Sequence, residues 1–171
     1  MPSLSAGQVP IEEKERTLRA VEDKLLEVAV RETGKRPEEI VIRDVLPATD
    51  LGLSAEKWEV SYSAAGWTTW INKELDDDQF LVIYGVACAD TATPYTTALR
   101  FKVGTTGATT KDVVQIEDAF AEENRVKYLR KPLIYKGGDT VYIEAYGTEA
   151  GTDRLILKAL IAEPKGKTVS V

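Results

Sequence analysis

The chain has 171 residues, of which 43% are apolar and 29% are charged, as is typical of one globular domain with a hydrophobic core. Its net charge of −6 at pH 7 argues against general nucleic-acid binding, which needs a basic surface for the phosphates. The same charge argues against docking on an anionic membrane. The single cysteine, Cys88, cannot form an intrachain disulfide, and its apolar neighbours predict a small buried side chain.

Residues 1–37 are predicted to form an arm and one amphipathic helix. Residues 1–9 are small and polar and lack the basic and apolar stretches of a secretory signal, so we expect assembly in the cytoplasm. Pro10 suits a helix start, and Gly34 and Pro37 suit its end, which predicts a helix over 10–33. One apolar stripe runs along this helix at helical spacing and comprises Ile11, Leu18, Val21, Leu25 and Val28.

Two interpretations of the stripe remain open at this point. The stripe either packs against the protein's own β domain or forms a seam for a neighbouring subunit or another partner. The remainder of the helix is rich in Glu and Arg, which is too acidic for a typical membrane-surface helix.

Residues 38–171 are predicted to form an antiparallel β domain. Short segments with period-two alternation or continuous apolar character are separated by turn residues, and no helical pattern lies regularly between them. The predicted strands cover residues 39–45, 58–62, 79–86, 98–103, 113–117, 133–135, 141–146 and 155–161. The sequence therefore predicts a mainly β protein, an antiparallel, jelly-roll-like β-sandwich with an N-terminal amphipathic α-helix.

Catalytic motifs are missing from the sequence. The chain contains no histidine, which removes Ser-His-Asp and Cys-His catalysis and most transition-metal sites, and no phosphate-binding glycine motif is present. Two carboxylates suffice for a glycosidase, but no pair stands out among Glu59, Asp90, Glu117 and Glu144. We therefore expect no enzyme activity, no cofactor and no metal. The acidic run at 76–78 lacks the spacing of a calcium loop and is expected to be a solvated turn.

Two further segments are candidates for binding. Trp67 and Trp70 lie next to Gly66, and exposed indoles stack on sugar rings, whereas buried indoles serve core packing. An acidic segment, 112–123, precedes a basic segment, 125–136, and the two are either solvated faces or complementary patches between subunits. The basic candidates for partner binding are Arg125, Lys127, Arg130 and Lys131.

The back half of the chain resembles that of viral jelly rolls. Its strand begins at Pro132, a Gly-Gly-Asp-Thr turn follows at 137–140, and two further strands complete the pattern up to residue 163. With the arm and helix, the chain resembles the capsid auxiliary proteins (decoration or cement proteins) of tailed bacterial or archaeal viruses. It is also similar to the small single-jelly-roll capsid proteins of membrane-containing viruses.

That resemblance implies a structural role in a virion that is assembled in the host cytoplasm. The implied partners are other copies of the chain, in a homo-oligomer, and a larger shell protein. The alternative function is a carbohydrate-binding β-sandwich module that uses Trp67 and Trp70.

Overall fold

The computed structural model describes residues 11–89, 94–104, 109–120 and 126–169. Its helices are α1 (Ile11–Thr33), α2 (Pro47–Leu51) and α3 (Glu117–Phe120), with one 3-10 turn at Pro37–Glu39. The strands in the first half are β1 (Ile40–Asp44), β2 (Val60–Tyr62), β3 (Gly66–Glu74), β4 (Phe80–Cys88) and β5 (Thr96–Val103). The strands in the second half are β6 (Thr109–Gln115), β7 (Val126–Tyr135), β8 (Thr140–Gly147), β9 (Gly151–Asp153) and β10 (Leu155–Pro164).

The strands form two four-stranded antiparallel sheets. Sheet I has the order β1-β10-β4-β7, and sheet II has the order β3-β8-β5-β6, while β2 and β9 pair separately. Without that small pair, sheet I holds the first, eighth, third and sixth strands, and sheet II the second, seventh, fourth and fifth. This alternation between sheets is the double Greek key of a jelly roll. The predicted fold class is confirmed.

The main hydrophobic core lies between the two sheets. On β8 the buried residues Val141, Ile143 and Ala145 alternate with partly exposed ones, as expected for a strand with one face in the core and one in water. Phe101 on β5 and Ile83 on β4 are fully buried in the same cluster. Sheet II therefore turns one complete set of alternate side chains outward.

The apolar stripe of α1 packs on the outer face of sheet I. Val21, Leu25 and Val28 are buried together with Val82 and Leu160 in a second hydrophobic cluster. β4 and β10 are apolar on both faces, so the helix removes from water a sheet face that would otherwise be exposed. For these three residues the structure therefore shows packing within the chain. Leu18 remains 36% exposed, and the side chain of Ile11 lies outside the described residues.

A buried ionic cluster joins β1, α2 and β10. The Arg43 guanidinium donates hydrogen bonds to Asp50 at 2.7 and 2.8 Å and to Glu163 at 2.6 and 2.9 Å. The hydrogen bond to Asp50 contributes most to holding the pKa of Arg43 above its ordinary value. Asp50 also accepts a hydrogen bond from the Leu46 backbone N–H at 2.7 Å. This cluster joins the start of α2, at Pro47, to β1 and β10.

Several strands differ from the prediction: β6 spans Thr109–Gln115 and not 113–117, and β9 was not predicted. β7 begins at Val126 and not at residue 133, and its pairing with β4 is irregular because Leu133 faces Ile83 whereas Tyr128 faces Gly85. β3 spans nine residues where the sequence indicated two tryptophans without a strand. No helix in the described part of the chain is long and apolar enough to span a bilayer.

Candidate functional site

The outward side chains of sheet II form one continuous surface. Trp67 of β3 pairs with Tyr146 of β8, which pairs with Ala98 of β5. Two residues further along β3, Thr69 pairs with Glu144, which pairs with Arg100. Paired residues in an antiparallel sheet point to the same face. We call this surface the aromatic–ionic face, defined by Trp67, Thr69, Arg100, Lys102, Tyr142, Glu144 and Tyr146.

The indole of Trp67 is exposed and yet held in one orientation. Its exposed fraction is 38%. The guanidinium carbon of Arg100 lies 3.7 Å from the indole centroid, which is cation–π geometry. The ring of Tyr146 lies 5.3 Å away at an interplanar angle of 75°, an edge-to-face contact. The sheet therefore presents to solvent a large apolar ring that is already ordered.

The carboxylate of Glu144 forms ion pairs with two cations at the centre of this face. Its carboxylate lies 3.3 Å from Arg100 Nη2 and 2.6 Å from Lys102 Nζ. The ammonium of Lys102 also lies 6.0 Å from the ring centroid of Tyr142, and the Tyr142 hydroxyl is hydrogen-bonded to Thr69 at 3.0 Å. Hydroxyl, carboxylate, guanidinium and ammonium groups thus lie on the same face as the exposed indole, in the neighbouring rows of paired residues.

Trp70 has the opposite environment to Trp67. The pairing of β3 with β8 shifts between Thr69 and Ile71, and this bulge turns both Trp70 and Ile71 inward. Trp70 is 8% exposed, donates its indole N–H to the Glu59 carbonyl at 2.7 Å and contacts the Trp58 ring edge-on at 6.2 Å. The expectation that Trp70 presents its ring to a ligand is therefore corrected, because that ring is part of the core.

The basic candidates lie on β7, away from the aromatic–ionic face. Lys127 is paired with Asp118 of α3 at 3.0 Å, so the acidic and basic segments meet within the same chain at this point. Arg130 and Lys131 are exposed, and Arg125 lies outside the described residues.

The acidic turn at 76–78 is partly neutralised by Lys167. Lys167 Nζ lies 3.1 Å from Asp76 and 2.8 Å from Asp78. Within residues 11–89, 94–104, 109–120 and 126–169, no group of three or more metal-ligating side chains is assembled. Of the four carboxylates considered for catalysis, Glu144 is ion-paired as above, and Asp90 lies outside the described residues.

Comparison with known proteins adds only remote likenesses. No family model and no curated protein matches the chain. The C-terminal CBM6 of LamC, a marine laminarinase from Zobellia galactanivorans, is 14% identical at a TM-score of 0.32, covering 61% of this chain and 78% of that one. The carbohydrate-binding module CBM6cm-2 of Cellvibrio mixtus lichenase 5A, solved with cellotriose, is 17% identical at a TM-score of 0.30, covering 63% and 77%.

A family 35 carbohydrate-binding module from Clostridium thermocellum is 16% identical at a TM-score of 0.29, covering 72% of this chain and 87% of that one. Likenesses at this level carry no argument about the ligand of this chain. The side chains of the aromatic–ionic face are therefore the observation that bears on function.

Most of that face was not identified from sequence alone. From the sequence, Trp67 was identified as a candidate by itself. Glu144 was only one of four carboxylates among which no catalytic pair could be chosen. Arg100, Tyr142 and Tyr146 occupy alternate positions on their strands, a signal that predicts an outward face. The register that brings them beside Trp67 joins strands distant in sequence, and alternation alone does not give it.

Proposed function

We propose that this protein is a non-catalytic carbohydrate-binding module that binds glycan on its aromatic–ionic face. The observation that carries the proposal is the exposed and ordered indole of Trp67. Exposing an aromatic ring forgoes the stabilisation of its burial, and here the ring is fixed by Arg100 and Tyr146 and is not packed into the core. An exposed, ordered ring of this kind suits a ligand that stacks on it.

The chemistry of the surrounding groups matches a sugar. The axial C–H groups of a pyranose are weakly positive, and the face of an aromatic ring is negative, so the two attract on stacking. The hydroxyls of the same sugar require donors and acceptors at the rim of the stack. Thr69, Tyr142, Glu144 and Lys102 supply hydroxyl, carboxylate and ammonium groups there.

A protein partner fits this face less well than a glycan does. A stable protein interface buries about 800 Å² on each side and has a largely apolar centre. Among the described residues of sheet II, the strongly exposed large hydrophobic side chains are Trp67 and, at the edge strand, Val113, which pairs with Arg100, and charged groups occupy the centre around Glu144. A single stacking ring with polar groups around it is the arrangement suited to one or two sugar rings.

The proposal is tested by affinity electrophoresis and calorimetry on a panel of polysaccharides, with Trp67→Ala as the test variant. The matched control is Tyr128→Ala, because Tyr128 is an aromatic residue with 41% exposure on β7 of the other sheet. We expect Trp67→Ala to lower the affinity about tenfold or more and Tyr128→Ala to leave it unchanged. Equal binding by Trp67→Ala and the wild type, or no binding by any of the three proteins, overturns the proposal.

A second candidate function is a structural subunit of a virion that binds copies of itself and a larger shell protein. The jelly-roll strand order occurs both in lectin domains and in viral capsid proteins, so the fold does not choose between the two candidates. The observation that favours the second is the exposure of Tyr128 and Val113 at the edge strands β7 and β6. Analytical ultracentrifugation tests it, because a shell subunit self-associates as its concentration rises and an isolated module remains monomeric.

A further inference from the structure

We infer that the glycan recognised by the aromatic–ionic face is acidic, with carboxylate groups on its sugar rings. This inference rests on the proposed function and names the substrate class of the same site. Its basis is a local charge imbalance at the centre of the face. Arg100 and Lys102 both converge on Glu144, so this face has an excess of one positive charge in a chain whose net charge is −6.

Arg100 and Lys102 lie where their attraction to a ligand anion is only weakly screened by solvent. The side chains of Arg100 and Lys102 are mostly withdrawn from solvent beside Trp67 and Tyr142. Charges in a partly desolvated position are screened less by water and salt than fully exposed charges are. A ligand carboxylate placed between them therefore gains more than it would at the exposed lysines of β7.

The hydrogen-bonding capacity of these cations exceeds what Glu144 uses. A guanidinium has five N–H donors and an ammonium has three. Glu144 accepts one hydrogen bond from Arg100 Nη2 and approaches Lys102 Nζ as an ion pair. A second carboxylate, supplied by the ligand, is the group that matches the remaining donors with charge-assisted hydrogen bonds.

The position of the cations relative to the stacking ring selects a charged sugar over a separate anion. Arg100 lies directly over the indole of Trp67, 3.7 Å from its centroid. A pyranose stacked on the exposed part of this indole carries its C5 substituent beside the ring. In a uronic acid that substituent is a carboxylate. Because Arg100 itself covers one face of the ring, we expect this carboxylate to extend past the edge of the indole toward the unused donors of Arg100 or Lys102.

The test compares two probes with the same backbone: polygalacturonate and the galactan produced by reducing its carboxyl groups. We expect the wild type to bind polygalacturonate about tenfold more tightly than the reduced polymer, with a preference that weakens as salt is added. Lys102→Gln should lose most of this preference. Lys131→Gln, which removes an exposed cation of β7, should keep it.

A variant that acts in the opposite direction protects the test against a simple folding defect. Glu144→Gln keeps the shape of the side chain and removes the internal anion that competes for Arg100 and Lys102. We expect its affinity for polygalacturonate to rise about threefold or more, with little change for the reduced polymer. Equal wild-type binding of both polymers overturns the inference and leaves the proposed function intact. If the protein binds neither polymer and no other polysaccharide, both the inference and the proposed function are overturned.

Discussion

Trp67 and Trp70 are three residues apart on β3 and lie on opposite sides of the same sheet. Trp67 is fixed outside the core by a guanidinium and a tyrosine ring. Trp70 is enclosed in the core, and its N–H is satisfied by the Glu59 carbonyl. The two residues have the same chemistry, so their different environments separate an indole that is available to a ligand from one that packs the core.

Replacement of each tryptophan by alanine should have a different effect on stability. Trp70→Ala leaves a large cavity beside Trp58 and should lower the free energy of unfolding by about 3–5 kcal/mol. Trp67→Ala removes one cation–π contact and one aromatic contact and should lower it by about 1–2 kcal/mol. Urea denaturation followed by circular dichroism measures both values. A loss for Trp67→Ala as large as that for Trp70→Ala would mean that Trp67 belongs to the core.

The positive charge of Arg43 compensates two buried carboxylates, so the stability of the fold depends strongly on it. Its two carboxylate partners, Asp50 and Glu163, have almost no exposed side-chain surface. Arg43→Met leaves both carboxylates buried without a counter-ion, which should lower the free energy of unfolding by about 3–5 kcal/mol. Arg31→Met, which breaks an exposed ion pair with Glu32, should lower it by less than about 1 kcal/mol. Chemical denaturation at neutral pH compares them, and similar small losses would contradict the role assigned to Arg43.

Helix α1 is the element whose role the sequence left most open. Its apolar stripe is compatible with packing in either the same or a neighbouring chain, because periodicity shows that a face is apolar but not what covers it. Sheet I determines what covers the stripe, because Val82 and Leu160 point outward from it and form an apolar surface under the helix. If β4 and β10 had alternated apolar and polar residues throughout, the outer face of sheet I would be polar, and the helix would have no apolar surface to pack on.

Two positions on the stripe distinguish packing within the chain from a seam with a partner. Leu25 is fully buried and Leu18 is 36% exposed. Leu25→Ala should lower the free energy of unfolding by about 2–5 kcal/mol, whereas Leu18→Ala should lower it by less than about 1 kcal/mol. Thermal and urea unfolding at low protein concentration gives the comparison. If Leu25→Ala were nearly neutral, α1 would not be anchored on its own sheet in solution.

The strands show where prediction from sequence succeeds and where it fails. β8 and β10 have regular or continuous apolar patterns bounded by turn residues, so both were predicted close to their observed extents. β3 was not predicted, because its bulge at Trp70 places two consecutive residues inward and breaks the alternation. β7 was predicted only in part, since its pairing with β4 is interrupted between Tyr128 and Leu133.

For the molecule as a whole, the jelly roll follows from local patterns, but its binding face does not. Turn spacing and the absence of interleaved helices are local features, and they were sufficient for the fold class. Arg100 and Glu144 are 44 residues apart in sequence, and they meet beside Trp67 only because β8 lies between β3 and β5. That proximity depends on strand order and register, which are properties of the complete fold.

The stability of the whole domain should fall at high pH. Burial raises the pKa of Tyr62 and of Tyr135 above the ordinary value for a phenol. Above pH about 10 the unfolded chain loses these protons while the folded protein retains them. The unfolded state then binds fewer protons than the native state, so the free energy of unfolding decreases as pH rises from the unfolded pKa toward the raised folded values.

Thermal unfolding between pH about 8 and about 11.5, with tyrosinate absorbance recorded in parallel, tests this dependence. We expect the melting temperature to fall above pH about 10, with the two tyrosines ionising only as the protein unfolds. The double variant Tyr62→Phe/Tyr135→Phe should show a flatter pH dependence because it lacks both linked protons. A dependence as steep as that of the wild type would show that other groups are responsible.

The central claim, that sheet II binds glycan on its outer face, is tested most directly by nuclear magnetic resonance of the three tryptophan indoles. With ¹⁵N-labelled tryptophan, each indole N–H gives its own signal, and the buried Trp70 and its neighbour Trp58 serve as internal controls. Addition of an acidic oligosaccharide should shift the Trp67 signal in a saturable manner and leave the other two in place. Saturable binding that leaves the Trp67 signal unmoved would contradict the account.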